Sequence, residues 1–142
     1  MLQGGGIPSL ITGWLFGYAL LAFFNRFFSA RDYLRRHIAF LVFVGVFLRE
    51  LAYSNYTLAR SVLFQSTSEL HPGFVEYDVP GLSHFELYLL SQCITLTPGT
   101  TTVEVSDDEQ RLTVHAFDAR DPEALCRSID QSLKKAILAF TR

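Results

Sequence analysis

The hydrophobic and polar positions along the chain follow two regimes that part near Ser66. From Ile7 to Phe24 no charge interrupts the run IPSLITGWLFGYALLAFF. Its length is about the 17 to 25 residues a helix needs to cross a bilayer core. Pro8 suits a first helical turn, where its missing N–H has no intrahelical partner to lose. A second run, IAFLVFVGVFL from Ile38 to Leu48, is too short to span alone. Extending it brings in Arg49, Glu50, Asn55 and Arg60, and a charge at mid-bilayer costs about 2.5 to 3.5 kcal/mol. Residues 32–66 therefore read as one long helix, its first half in lipid and its second half amphipathic at the membrane surface. The expected layout is a membrane-embedded helical hairpin over 1–66, with helices near 7–28 and 32–66, then a soluble α+β domain over 67–142.

Beyond Ser66 the pattern is that of a water-soluble fold. His71, Pro72 and Gly73 punctuate a connection. FVEYDV (Phe74–Val79) alternates as a strand, with Val75, Tyr77 and Val79 on one face and Phe74, Glu76 and Asp78 on the other. Ser83 reads as an N-cap with Glu86 completing a capping box. Phe85, Leu89, Leu90, Cys93, Ile94 and Leu96 follow at helical spacing. Pro98 and Gly99 stop that helix. Thr101–Val105 and Leu112–Phe117 read as a hairpin across the polar turn of Asp107, Asp108, Glu109 and Gln110. Asp121 and Pro122 open a last helix with the apolar stripe Leu125, Ile129, Leu133, Ile137 and Phe140. The β-α-β-β-α order predicts a three-stranded sheet with two helices on one face.

Composition sharpens this division. Of 142 residues 49% are hydrophobic, 18% are charged and 13 are Phe, an excess concentrated in the first half. Mean hydropathy is +0.23. A net charge of −2 without a basic stripe in the soluble half argues against nucleic acid as a partner. The N-terminus MLQGGG lacks the basic region of a cleavable signal peptide. Arg26, Arg31, Arg35 and Arg36 cluster beside the first apolar helix, and such clusters stay on the cytoplasmic side. Cys93 and Cys126, in no metal spacing, read as reduced thiols, which also favours a cytoplasmic face for the soluble half.

No enzyme, cofactor or metal signature emerges. The chain has no phosphate-binding Gly-rich loop, no HExxH and no GxSxG. His84 lies near Glu86, yet two ligands do not make a zinc site. His115 is the best sensing candidate, because imidazole side chains as a class can change charge at physiological pH; the simpler expectation is a solvent-facing strand position. The acidic turn reads as solvated. Gly13 and Gly17 form a GxxxG spacing that admits a second helix. Trp14 and Tyr18 fit either an interfacial anchor or packing against a neighbour. Arg49 and Glu50 are the candidate intramembrane charges; being adjacent, they are expected to point in different directions, and to contact another subunit rather than carry ions.

The stretch Ser91–Ile129 resembles the E-type subunits of the Mrp-type multisubunit sodium/proton antiporters. The resemblance rests on ITLTPGT (Ile94–Thr100), VHAFD (Val114–Asp118) and DPE (Asp121–Glu123), in that order and at matching gaps. Thr95, Thr97, Pro98, Gly99, Thr100, His115 and Asp118 carry this signature. Its chemistry is conformational, because Pro98 and Gly99 turn the chain while the Thr97 and Thr100 hydroxyls satisfy freed backbone groups. The resemblance implies an accessory subunit of a cation/proton antiporter in the cell membrane, partnered by other integral-membrane subunits and lipid, with a cytoplasmic C-terminal module. Equivalent small subunits of membrane-bound hydrogenases and related ion-pumping complexes are the alternative it leaves, and a free-standing membrane-anchored ligand-binding module is another. Two departures stand out: the apolar segment usual in the family before the one corresponding to Ile7–Phe24 has no counterpart here, which leaves a misplaced start codon and a reduced anchor as alternative readings, and Cys93 stands where an Asn is common. A cytoplasmic module requires that residues 38–60 cross incompletely, with the N-terminus outside.

Overall fold

The structure, a computed structural model, describes residues 7–23, 30–66 and 70–142. Helix α1 covers Ile7–Phe23 and α2 covers Ala30–Phe64. They are followed by β1 (Gly73–Asp78), α3 (His84–Leu96), β2 (Thr100–Val105) and β3 (Arg111–Ala116). The final helical stretch combines α4 (Pro122–Ile129), a π-helical segment (Asp130–Lys134) and α5 (Lys135–Thr141). Residues 24–28 of the first expected helix lie outside the described residues. By compactness the chain parts into one unit ending at Ile38 and another running from Ala39 to Arg142.

In the first unit Trp14 and Tyr18, one turn apart on α1, stack at 5.5 Å. The His37 ring lies 6.2 Å from Trp14 and 6.3 Å from Tyr18. Both aromatics therefore pack on a neighbouring ring. Helix α2 is uninterrupted over 35 residues, about 52 Å at roughly 1.5 Å per residue. Its segment Leu34–Phe64 is long and apolar enough to cross a membrane by length and composition.

The second unit holds the expected β-α-β-β-α order. The sheet is antiparallel with strand order β1-β3-β2. Val75 stands opposite Val114, and Tyr77 opposite Leu112. All four side chains are buried, as the alternation of β1 requires. Helix α3 and the final helical stretch cover that one face. Thr102 pairs with Val114 and Glu104 with Thr113, so Val103 between them is an extra residue that forms a β-bulge. Gly73 allows a close approach: a Cβ there would lie 3.0 Å from the Ala119 Cβ, so any larger residue would push that neighbour aside.

Helix α3 corrects the expected inward face. The capping box forms, with Ser83 Oγ accepting from the Glu86 amide and Glu86 Oε2 accepting from the Ser83 amide. Yet Phe85 and Leu96 are exposed, while Glu86, Leu87, Leu90, Ser91, Cys93 and Ile94 are buried. The reason is Glu86, 3% exposed. Its carboxylate accepts from Thr141 Oγ1 at 2.6 Å, and from Arg142 Nε and Nη2 at 3.1 Å each. This clasp ties α3 to the end of α5 and turns the Glu86 side of α3 inward. The Arg142 bonds first, then Thr141 and Ser83, outweigh burial and hold the Glu86 carboxyl at about 2.

The apolar stripe of the last helix predicts a continuous element, but its middle opens into a π turn. There Asp130 Oδ1 accepts from the Tyr77 hydroxyl at 2.7 Å and from Lys134 Nζ at 2.8 Å. Burial opposes ionisation of Asp130, but the Lys134 and Tyr77 bonds prevail and its pKa is lowered. Burial first, then Asp130, pushes the Tyr77 phenol up. Helix α2 joins this core through Phe43, whose ring lies 5.2 Å from Phe140. Phe40 meets Phe140 edge-on at 5.5 Å.

Candidate functional site

The turn after α3 shows why its residues are what they are. The last carbonyls of a helix lack intrahelical partners. Here Cys93 O accepts from Thr97 Oγ1 at 2.6 Å, and Ile94 O accepts from Thr100 Oγ1 at 2.9 Å. Pro98 has no N–H to satisfy. Gly99 sits at φ +95°, which side chains rarely tolerate, and its carbonyl accepts from the Phe117 amide at 2.8 Å. Thr95 Oγ1 accepts from the Thr102 amide at 3.2 Å, tying α3 to β2 beside the bulge.

Asp118 closes the other side of the turn. Its two carboxylate oxygens take the Arg120 guanidinium, with Nε at 2.8 and 3.0 Å and Nη2 also bonded. Arg120 chiefly, against some burial, holds the Asp118 carboxyl below its ordinary range. Three residues on, Asp121 caps α4 by accepting from the Ala124 amide at 2.8 Å.

These residues meet α2 around a cavity of about 260 Å³. Glu50, Ser54, Thr57 and Ser61 line it from α2; Thr97, Pro98, Gly99, Thr100 and Asp118 line it from the turn side; Ser128 and Ser132 line it from the final helical stretch. Ile94, Leu125, Ile129 and Leu133 supply its apolar floor. The Ser54, Thr97, Thr100 and Ser132 protons are all given to backbone carbonyls. Their oxygens and the Glu50 carboxylate therefore offer acceptors to the cavity. No group of three or more His, Cys, Asp or Glu placed to hold a metal ion occurs among the described residues.

Arg49 and Glu50 depart from the expected geometry. Although adjacent on the helix, they form an ion pair, with Arg49 Nη2 2.6 Å from Glu50 Oε1. Side chains about 100° apart on a helix do not face each other, but the Arg stem is long enough to fold round. The Glu50 side chain is 18% exposed and Arg49 70%, so the pair bridges the cavity wall to the outer surface of α2.

The other candidates lie elsewhere. His115 is on the uncovered face of the sheet, across from Phe74 with ring centroids 5.2 Å apart. His84 Nδ1 lies 2.8 Å from Glu109 Oε1 at the hairpin turn, not on Glu86. A Cβ at Gly13 or Gly17 would meet nothing within 4 Å, so both are open on the surface of α1. Sequence reasoning missed the serines and threonine of α2, although 50, 54, 57 and 61 recur at helical spacing.

Residues 1–140 match the family described as Na+/H+ ion antiporter subunit, MNHE. The E-type subunit of the Na+/H+ antiporter of Bacillus subtilis is 36% identical over 132 residues, 93% of this chain and 83% of that protein. Its counterpart in Alkalihalophilus pseudofirmus is 31% identical over the same shares of each chain. A chain in the structure of the Mrp complex from a Dietzia species superposes with a TM-score of 0.55 at 27% identity, covering 72% of this chain and 96% of that one. With a family match over nearly its whole length and relatives above 30% identity, this chain belongs to the MNHE family of Na+/H+ antiporter subunits.

Proposed function

We propose that the chain is an accessory subunit of a multisubunit monovalent cation (sodium)/proton antiporter in the cell membrane. It supports assembly and stability of the complex, and its α+β module faces the cytoplasm. The observation that carries this reading is the apolar surface the fold leaves uncovered beside a well-packed polar module. Ile7, Leu10, Phe16, Leu48, Val62 and Leu63 are all largely exposed on α1 and α2. Such a surface calls for lipid or other membrane subunits. The charged signature residue Asp118 is engaged within the chain, which fits a structural part better than an ion path. The basic residues Arg35 and Arg36 at the start of α2 favour the cytoplasmic side.

The test is a clean deletion complemented by tagged protein. The wild-type chain is expected to co-purify with several integral-membrane subunits in mild detergent. Without it, the complex is expected to fall apart on native gels and sodium-dependent proton movement in vesicles to drop. A complex that assembles and exchanges ions normally without this chain would reject the reading.

A further inference from the structure

Helix α2 has two faces in the second unit, and they differ in what covers them. Taking Phe43 as reference and about 100° per residue, Phe47, Glu50, Ser54, Leu58 and Ser61 fall within about 60° of it. This face packs on the module or lines the cavity. Leu41, Gly45, Leu48, Ala52, Tyr56, Ala59 and Leu63 all fall within about 40° of the opposite direction. Among these Leu48 is 55% and Leu63 72% exposed. Nothing lies within 4 Å of a Cβ built on Gly45. Polar Tyr56 apart, the stripe is apolar for six turns, and Arg49 and Arg60 flank it on one side.

We propose that this stripe is a membrane-surface binding face: from about Phe40 onward α2 lies along the bilayer interface, with the module seated on its other side, and does not cross. The occupant is the lipid surface. The module accompanies α2 from Phe140 against Phe40 to the cavity wall at Ser61. That stretch is about 32 Å of helix, as long as the roughly 30 Å hydrocarbon core. A crossing α2 would carry the cavity it shares with the module, with Glu50, Asp118 and its partner Arg120, into hydrocarbon. Lying flat places the stripe among acyl chains and leaves those charges in water. Arg60 at the edge of the stripe, together with the exposed Arg49 head, meets anionic headgroups. The length and hydropathy of Leu34–Phe64 are thus those of a helix with one lipid face and one protein face. The module consequently stays on the side of the membrane where α2 begins.

The inference rests on the membrane location of the chain and not on an accessory role. Trp14 is the chain's only tryptophan, so in a Trp14→Phe background Leu41→Trp, Leu48→Trp and Leu63→Trp each report one depth. The full chain is reconstituted in phosphatidylcholine vesicles containing phosphatidylglycerol, with bromine on shallow or deep acyl carbons. All three positions are expected to be quenched at least two-fold more by shallow than by deep bromine. Deep quenching at Leu48→Trp with shallow quenching at the other two is the profile of a crossing helix and overturns the inference alone. Absence of quenching at all three overturns the lipid contact. A chain that stays in the aqueous fraction overturns the membrane reading itself. In the assembled complex, a photoreactive leucine analogue at Leu48 is expected to give lipid adducts; a crosslink to another protein overturns lipid as the occupant.

Discussion

Replacing Glu86 with Gln tests the clasp between α3 and α5. The carboxyl sits at about 2 instead of the ordinary 4.5. That gap corresponds to roughly 3 kcal/mol of preference for the charged form in the folded chain. The Arg142 side chain is 56% exposed, so solvent screening leaves its share at about 1 kcal/mol. The Thr141 and Ser83 bonds to a buried anion carry the rest. Because the folded pKa is depressed, the stabilisation is complete above about pH 4.5 and disappears as pH falls toward 2. Glu86→Gln is expected to lower stability by about 2 kcal/mol at pH 7, since a neutral amide keeps the shape and loses the charge-assisted bonds. It should also flatten the acid limb of the stability curve. Asp118 and Asp130 are lowered as well, so some slope will persist in the variant. The informative quantity is the difference between wild type and variant, followed by circular dichroism during thermal unfolding in mild detergent from pH 7 to 2.5. That difference should shrink toward zero at the acid end. A constant difference across the range, or equal stability at pH 7, would refute the assignment of the depressed pKa to this clasp.

Three further outcomes follow from the packing. Tyr77→Phe removes the hydroxyl bond to Asp130 in the π turn and should cost about 1 to 2 kcal/mol, read as a lower unfolding midpoint. Gly99→Ala must place a side chain at φ +95°; the strain should cost about 1 to 3 kcal/mol in the same assay, even though no atom closer than 3.9 Å opposes the new Cβ. Leu90→Ala empties the centre of the α3 face, where Leu90 is 1% exposed, and should cost about 2 to 5 kcal/mol with loss of folded protein at growth temperature.

The module was legible because its local rules agree with one another. The β1 alternation, the Ser83 capping box, the Pro98–Gly99 stop and the Asp121–Pro122 start each name a boundary; the caps and the stop are where the structure puts them, and β1 (Gly73–Asp78) is shifted by one residue from the expected Phe74–Val79. The inward face of α3 was not legible. Phe85 and Leu96 look like core by hydrophobicity, and only a partner 56 residues away, Arg142, makes Glu86 the buried one. The π turn was hidden for a similar reason, since Asp130 at its start is bonded to Tyr77 on a strand far away in sequence. The Arg49–Glu50 pair escaped because backbone directions say little about where a long guanidinium stem reaches. The cavity could not be read in advance, since α2 and the turn after α3 are far apart in sequence and meet only through tertiary packing. The Ser and Thr spacing on α2 alone does not separate a lined cavity from a solvated helix face.

The extra residue at Val103 has a consequence for how this chain behaves in a crowd. Strand β2 is an outer strand, and a regular outer strand is a template on which a foreign backbone can continue the hydrogen-bond ladder. An unpaired residue near its middle throws the donors and acceptors on either side out of step, so a newcomer can align with one half of β2 or the other but not with both. Copies of the module are in this way discouraged from fusing through their β2 edges.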